Sequence, residues 1–179
     1  MGRTHPICRK PFGLDGLISV TLLKPPINRV IYDFKYHWVT ELKTVLVNIT
    51  VSYLYSQGIV FSGFSIIPVP LDKNRERWRG YNQAKLIGTV LAERLHIPYN
   101  DTVLFRIKQT HVQADLKTQE ERNRNLADAF SCTKESVIGK RLLLIDDVIT
   151  TGATLRNAAK ELKRKGAAEV WGLTVARRS

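Results

Sequence analysis

The sequence has 179 residues, of which 44% are apolar and 25% are charged, values typical of one folded domain. Lysine and arginine outnumber aspartate and glutamate by 28 to 16, and the net charge of +12 favours polyanionic partners such as nucleic acid or phosphorylated metabolites. The sequence shows no apolar run as long as a membrane span, no signal-peptide core in its first ten residues, and only two cysteines. These features argue against secreted, membrane-spanning and disordered proteins, and we expect a chain that works in a reducing cytoplasm.

Apolar periodicity and turn residues divide the first hundred residues into strands and helices. The predicted strands cover 15–23 and 64–70, and the second is a continuous apolar run that ends in prolines. The predicted helices cover 27–36, 40–57 and 84–95. Residues 72–82 are polar and strongly basic, so we predict a loop there.

The rest of the chain continues this alternation. We predict strands over 102–107, 140–147 and 170–176, with a helix before the last strand that ends near Lys165. The long polar stretch after the first of these strands is typical of a mobile segment that carries function. Because strands alternate with helices, the sequence predicts an α/β fold with a largely parallel sheet.

Two acids and a threonine–glycine segment form the most informative pattern. Asp146 and Asp147 follow an apolar strand, where open α/β sheets place their ligand sites. Residues 150–154 (TTGAT) then turn into a helix, and the unpaired N–H groups of a first helical turn suit a phosphate. Because the carboxylates would repel that phosphate, we expect them to bind sugar hydroxyls or a metal ion instead. A sugar phosphate would suit both the acid pair and the threonine–glycine segment. The alternative is that the acids simply end the strand and Thr150 caps the helix.

Nucleotide-binding P-loop proteins also place acids after an apolar strand. That class needs the motif G-x-x-x-x-G-K-[ST], and the nearest match, Gly58 to Gly63, continues with Phe64 and Ser65 instead. Without the lysine and the hydroxyl this segment cannot bind nucleotide phosphates as a P-loop does, so we exclude P-loop proteins.

Several motifs resemble those of a known family. Residues 142–155, LLLIDDVITTGATL, are similar to the phosphoribosyl pyrophosphate (PRPP) signature of type I phosphoribosyltransferases. Further segments resemble the competence protein ComF subfamily: Pro68-Val69-Pro70, Arg79-Gly80-Tyr81-Asn82-Gln83-Ala84, Arg106 to Gln113, and Arg122 to Phe130. The likeness covers about residues 15–179. It implies a type I phosphoribosyltransferase-like α/β fold, with a largely parallel central sheet flanked by helices, a small N-terminal hood over 1–60 and a core over 61–179.

The resemblance also implies roles for individual residues. Asp146 and Asp147 would hold the ribose hydroxyls at the catalytic site, with Mg²⁺ bridging ribose and pyrophosphate oxygens beside them. The 5-phosphate would lie against Thr150, Thr151, Gly152, Ala153 and Thr154. Pyrophosphate would be bound after Pro70 by the basic side chains of Lys73, Arg75, Arg77 and Arg79. The alternative for this basic segment is a solvated surface or a contact with nucleic acid.

The polar stretch 108–124 lies where such enzymes carry a flexible lid that excludes water. The candidate lid residues are Arg106, Lys108, Gln113 and Arg122, with a solvated surface as the alternative. The ComF subfamily usually begins with a cysteine-rich zinc ribbon. Only His5 and Cys8 are present in that region, and structural zinc needs four ligands, so we expect no zinc.

Two functions follow from the resemblance and the charge. The first is a phosphoribosyltransferase that uses PRPP and an unidentified nucleobase-like acceptor; dimers are common in the wider family, so a homodimer is one expected state. The second is a non-catalytic member of the fold that acts in DNA uptake by binding single-stranded DNA, with Trp78 or Tyr81 as stacking residues. Tyr32, Tyr36 and Trp38 are further rings that would either stack on a base or pack in the core.

Overall fold

The computed structural model describes residues 13–37, 39–107 and 129–178. The strands are β1 (Gly16–Leu22), β2 (Phe64–Pro68), β3 (Phe105–Arg106), β4 (Phe130–Ser131), β5 (Arg141–Ile149) and β6 (Glu169–Arg177). The helices are α1 (Ile27–Tyr36), α2 (Leu42–Ser56), α3 (Lys73–Arg79), α4 (Gln83–Leu95), α5 (Lys134–Val137) and α6 (Ala153–Arg164). Outside the described residues lie the lid candidates Lys108, Gln113 and Arg122, together with His5, Cys8 and Trp38.

Four strands form a parallel sheet in the order β1–β6–β5–β2. β5 lies inside the sheet because its apolar residues are buried on both faces, as a parallel sheet covered by helices requires. Leu142 and Leu144 face one core cluster, whereas Leu143 and Ile145 face the other. In the register of β2 with β5, Pro68 lies beside Ile145, so the carboxyl ends of these two strands meet at one edge of the sheet.

Helices cover both faces of this sheet. On one face, α6 contributes Leu155, Ala158 and Leu162, which recur at the spacing of one helix side. On the other face, α1 and α2 contribute Phe34 and Leu46, and α4 packs beside them. The loops after β2 and β5 are therefore left open at the carboxyl edge of the sheet, which is where ligands bind in folds of this kind.

The parallel α/β sheet and most predicted elements are confirmed. The confirmed predictions are the strands over 15–23, 64–70 and 170–176 and the helices over 27–36, 40–57 and 84–95, which differ from the observed elements by a few residues at most. Within the described ranges, no helix combines the length and apolar character that crossing a membrane requires.

The loop predicted for the basic segment is wrong, because Lys73–Arg79 form α3. Asp72 caps this helix: its carboxylate accepts hydrogen bonds from the backbone N–H groups of Asn74 at 3.0 Å and Arg75 at 3.4 Å. Gly80 ends the helix in the left-handed conformation with a φ of 78°. Since α3 buries no residue, apolar periodicity could not reveal it.

Two predicted strand boundaries also differ from the structure. The strand predicted over 102–107 shrinks to β3, which pairs antiparallel with β4 in a separate two-stranded sheet. Its first part is a turn, in which the Asn100 side chain accepts the backbone N–H of Thr102 at 2.9 Å. β5 does not end at the acids but continues to Ile149, because Val148 still pairs with Ala176 of β6.

Candidate functional site

The two acids lie near the carboxyl end of β5 and point to opposite faces of the sheet. Asp146 is partly exposed, and its Oδ1 accepts a hydrogen bond from the backbone N–H of Asp147 at 2.9 Å. Asp147 is only 6% exposed, and its Oδ2 lies 2.9 Å from Nζ of Lys35 on α1. The acids therefore have different partners, although the resemblance assigns them one shared role.

Asp146 has an unusual ionisation equilibrium. Burial and the neighbouring Asp147 carboxylate raise the pKa of Asp146 to about 7. The backbone N–H of Asp147 and the cations of Lys35 and Arg106 lower that pKa, but they do not cancel the effect of burial. Asp146 therefore exchanges its proton near neutral pH, and its ionised form can accept hydrogen bonds from sugar hydroxyls.

The segment 150–154 connects β5 to α6 and lines a depression of about 30 Å³ that Asp146 also lines. Gly152 is the N-cap of α6 and has a φ of 72°, which favours glycine. A Cβ atom at Gly152 would lie 3.0 Å from Nη1 of Arg156 and 3.1 Å from Cδ1 of Ile149. The alternative role of Thr150 as the helix cap is thus not realised, because Gly152 takes that position.

Backbone groups and hydroxyls of this loop face its small depression. The backbone N–H of Ala153 donates to Oγ1 of Thr151 at 3.4 Å, a long hydrogen bond. Nη1 of Arg156 donates to the carbonyl of Thr151 at 2.8 Å and fixes the loop from the helix side. The positive end of the α6 dipole adds potential that favours an anion in the depression.

Arg106, predicted as a lid residue, lies near both Asp146 and Arg75 of α3. Burial lowers its pKa, although the guanidinium remains charged at any physiological pH. Asp72 and Asp146 are the acids that act on it, and Arg75 is the cation that acts on it. Its guanidinium carbon also lies 5.6 Å from the ring centre of Phe130 on β4. The two-stranded sheet therefore carries a fixed positive charge toward the acid site.

A second, larger cavity of about 540 Å³ adjoins the end of β2. Among its lining residues are Lys73, Lys85 and Arg106, which bring positive charge, and Glu76 and Asp101, which bring negative charge. Lys85 lies 3.1 Å from Asp101, so that pair is internally compensated. Lys73 and Arg106 are the other cations of this lining, and Arg106 lies close enough to Asp146 to be affected by its charge.

The four basic residues of α3 do not converge on one point. Lys73 lines the large cavity, and Arg75 lies close enough to Arg106 to affect its pKa. Arg79 points the other way: its Nη1 donates to Oε1 of Gln83 at 3.1 Å, and its guanidinium lies over the ring of Tyr36. Arg77 is exposed on the same helix.

The rings considered as stacking residues divide into two groups. Tyr81 is turned inward, and its hydroxyl donates to the backbone carbonyl of Phe34. Trp78, Tyr32 and Tyr36 are exposed by 66%, 49% and 40%. Packing in the core therefore explains Tyr81 but not the other three.

Lys35 is the site residue that sequence reasoning missed. Its ammonium group is the partner of Asp147, although the two residues lie on distant parts of the chain. Lys35 belongs to an ordinary amphipathic helix, whose pattern explains Ile31 and Phe34 but assigns no function to a lysine. Only the packing of α1 against the sheet reveals the ion pair.

Comparison with known proteins agrees with this fold. Residues 84–179 match the family model described as "Phosphoribosyl transferase domain". "Competence protein F" of Haemophilus influenzae is 36% identical over 166 residues, which cover 89% of this chain and 72% of the relative. "DNA utilization protein YhgH" of Escherichia coli (strain K12) is 31% identical over 171 residues, which cover 92% of this chain and 74% of the relative.

Two further matches are a sequence match to part of a relative and a structural match to a solved protein. "Competence protein ComFC" of Bacillus subtilis is 40% identical over 116 residues, which cover 64% of this chain and 45% of that protein. The glutamine PRPP amidotransferase structure from B. subtilis has a TM-score of 0.49 and 21% identity, and the match covers 74% of this chain and 26% of that one. On its family model and its competence-protein relatives, the chain belongs to the phosphoribosyltransferase domain family, within its ComF-like branch.

Proposed function

We propose that this chain binds PRPP at the carboxyl edge of its sheet and transfers the phosphoribosyl group to a nitrogenous acceptor. The observation that carries the proposal is that Asp146 lines the same depression as the threonine–glycine loop 150–154. The loop offers hydrogen-bond donors to a phosphate, and the carboxylate accepts hydrogen bonds from hydroxyls. On one small surface, these two groups match the two ends of a ribose 5-phosphate. This proposal also explains the glycine at the helix cap of this loop, where a side chain would crowd Arg156 and Ile149.

Each part of PRPP has a proposed partner. The 5-phosphate binds the first-turn N–H groups of α6 and the hydroxyls of loop 150–154. The ribose hydroxyls donate to Asp146, while Asp147 stays paired with Lys35 and keeps β5 in place. The pyrophosphate binds the cations Lys73, Arg75 and Arg106 between α3 and the acid site. Arg77 and Arg79 are not needed for this arrangement.

Asp146 fits Mg²⁺, because a carboxylate that lines an open depression suits a hard cation that keeps several of its waters. Bound with PRPP, Mg²⁺ would neutralise charge on the pyrophosphate leaving group. The residues that would hold it are Asp146 and the ligand's own oxygens. Asp147 contributes less, since its carboxylate is already occupied by Lys35.

The reaction would be a substitution at the anomeric carbon of the ribose. A bond forms from the acceptor nitrogen to that carbon, and the bond from the carbon to pyrophosphate oxygen breaks, with the electron pair leaving on pyrophosphate. The acceptor nitrogen releases its proton to water. Positive charge develops on the ribose in the transition state, and the ionised Asp146 beside the hydroxyls stabilises it. The protein thus acts by positioning and electrostatics rather than through a nucleophilic side chain.

A second candidate function is DNA handling without catalysis. The names of the relatives refer to competence and DNA utilization, and the net charge of +12 exceeds what one PRPP molecule requires. The exposed rings of Trp78, Tyr32 and Tyr36 are the specific observation in its favour. The two candidates are compatible, because the rings lie outside the depression that Asp146 lines.

A calorimetric titration of PRPP with Mg²⁺ tests the PRPP proposal. We expect the wild-type protein to bind and the variant with Asp146→Asn and Asp147→Asn to lose binding while it stays folded. Asp146→Asn alone isolates the acid of the depression, and Glu93→Gln is the matched control because Glu93 is exposed on α4. Unchanged affinity in the double variant would contradict the site. Binding without turnover of any acceptor would leave a PRPP-binding protein that is not a transferase.

A further inference from the structure

A row of aromatic rings crosses the surface from α1 to α3. Tyr32 and Tyr36 lie one helical turn apart with their ring centres 4.9 Å apart, and Trp78 continues the row 5.9 Å from Tyr36. His37 extends it at the other end, 5.4 Å from Tyr32. These four residues are called the ring row below.

Three rings of the ring row face solvent. Trp78, Tyr32 and Tyr36 are between 40% and 66% exposed, although large rings stabilise a fold mainly when they are buried. α3 buries no residue, so Trp78 does not anchor that helix in the core. Several large rings that touch one another and face solvent are typical of a binding surface.

Guanidinium groups accompany the rings. Arg29 lies 5.9 Å from the centre of the Tyr32 ring, and Arg79 lies 5.1 Å from the centre of the Tyr36 ring. Arg77 precedes Trp78 and is exposed. The surface therefore alternates flat apolar faces with positive charges.

One carboxylate lies beside the ring row. Asp33 is paired with Arg29 at 3.0 Å and with Nδ1 of His37 at 2.9 Å. Its charge is thus compensated within the surface, and the exposed Arg77 remains as a cation that a ligand phosphate can approach. The matching ligand carries flat rings and phosphates in repeated order.

We propose that the ring row is a stacking platform for a single strand of nucleic acid. Bases stack on Trp78, Tyr36 and Tyr32, and the phosphates between them approach the flanking arginines. A single strand fits better than a duplex, whose bases already stack on one another, and three rings are more than one free base can use. The proposal rests on the second candidate function, DNA handling, and names the surface that would bind the strand. It uses no part of the PRPP site.

The platform also lies next to the acid site. Tyr36 follows Lys35, whose ammonium group binds Asp147, and the same Arg79 that covers the Tyr36 ring precedes the turn into α4. Tyr32 and Tyr36 of the ring row and the lysine that pairs with Asp147 thus belong to the same helix, α1.

The test is a fluorescence anisotropy titration of the full chain with a labelled oligothymidylate of about 16 nucleotides. Trp78→Ala and Tyr32→Ala each remove one stacking ring, and we expect each to weaken binding by about 5- to 100-fold. Trp78→Phe keeps a ring and should retain most of the affinity. Tyr55→Ala is the matched control, because Tyr55 is a 66% exposed tyrosine outside the ring row and its loss should change nothing.

Two measurements distinguish base stacking from general attraction to a basic protein: the salt dependence of the affinity and the comparison of a single strand with a duplex. Arg77→Gln should reduce the slope of log affinity against log salt by about 0.7, whereas the ring variants should leave that slope unchanged. A duplex of equal length should bind less tightly, and an oligouridylate shows whether RNA is accepted as well.

Three results would overturn the proposal: no binding by the wild type, equal binding by the folded ring variants, or equal binding of the duplex. Thermal melting confirms that the ring variants are folded. The variant Asp146→Asn should bind the oligonucleotide normally, so failure of the PRPP proposal would leave this one standing.

Discussion

Asp146 and Asp147 are adjacent in the chain, yet the fold gives them different environments. Asp147 is buried against the Lys35 ammonium group, whereas Asp146 shares a depression with loop 150–154 and carries a pKa of about 7. The sequence motif alone predicts that both acids serve the ligand. Under the PRPP proposal, Asp146 meets the ligand, and Asp147 holds β5 through its pair with Lys35.

The ionisation of Asp146 can be measured directly. We expect its carboxyl carbon to titrate near pH 7 in ¹³C NMR, with Asp146→Asn identifying the resonance. Because this pKa lies above the ordinary value of 3.8, Asp146 contributes stability that is fully present below about pH 4 and is lost as pH rises through 7. Lys35→Met should raise the pKa further, since the lysine lowers it. Titration of Asp146 below pH 5 would contradict this environment.

Gly152 is the residue at which loop shape can be tested without changing any charge. Gly152→Val places a branched side chain at a φ of 72° and against Ile149 and Arg156, so the loop must move. We expect the affinity for PRPP to fall by about tenfold or more, which corresponds to about 1.4 kcal/mol. Gly139→Val is the control, because Gly139 has a similar φ of 69° but open space around its Cβ position. Equal losses in both variants would show that backbone strain alone explains the effect.

At the scale of single elements, α3 shows what a pattern of apolar residues can and cannot predict. α1, α2 and α4 bury residues at helical spacing, and the sequence predicts all three within a few residues. α3 buries no residue, so its only sequence signals are Asp72, which caps its N-terminus, and Gly80, which ends it. The pairing of Lys35 with Asp147 depends on how α1 packs against the sheet, and no local pattern contains that information.

Asp72 is the residue that connects the helix cap to the proposed site. Asp72→Ala removes the cap and should cost about 1 kcal/mol of stability in chemical denaturation. The same change should weaken binding of pyrophosphate, because Lys73 and Arg75 belong to the first turn of α3. Asp72→Asn keeps a capping oxygen but removes the charge near Arg106, and we expect it to retain the stability. An equal loss in both variants would show that the charge matters rather than the cap.

At the scale of the whole molecule, the first and last strands hold the N-terminal part to the core. β1 pairs parallel with β6, and one core cluster contains Phe34 and Leu46 together with Leu143 and Leu173. Gly16 permits this pairing, because a Cβ atom there would lie 2.4 Å from the Trp171 ring. The predicted hood over 1–60 and core over 61–179 thus share one sheet and one apolar cluster across the described residues.

This shared core predicts a single cooperative unfolding transition. We expect one calorimetric peak whose van't Hoff and calorimetric enthalpies agree, as for other small single domains. Gly16→Val should move that whole peak to lower temperature, because the new side chain collides with Trp171 and disturbs the pairing of β1. Two separate peaks, of which only the first responds to this substitution, would contradict the shared core.

The central claim is that loop 150–154 and Asp146 form one site for a ribose 5-phosphate. A crystal structure of the wild-type chain with PRPP and Mg²⁺ tests it most directly, since it locates both ends of the ligand at once. We predict that the 5-phosphate lies within hydrogen-bond distance of the backbone N–H groups at the start of α6 and that a ribose hydroxyl contacts Asp146. PRPP bound elsewhere, with this loop and Asp146 free of it, would contradict the account.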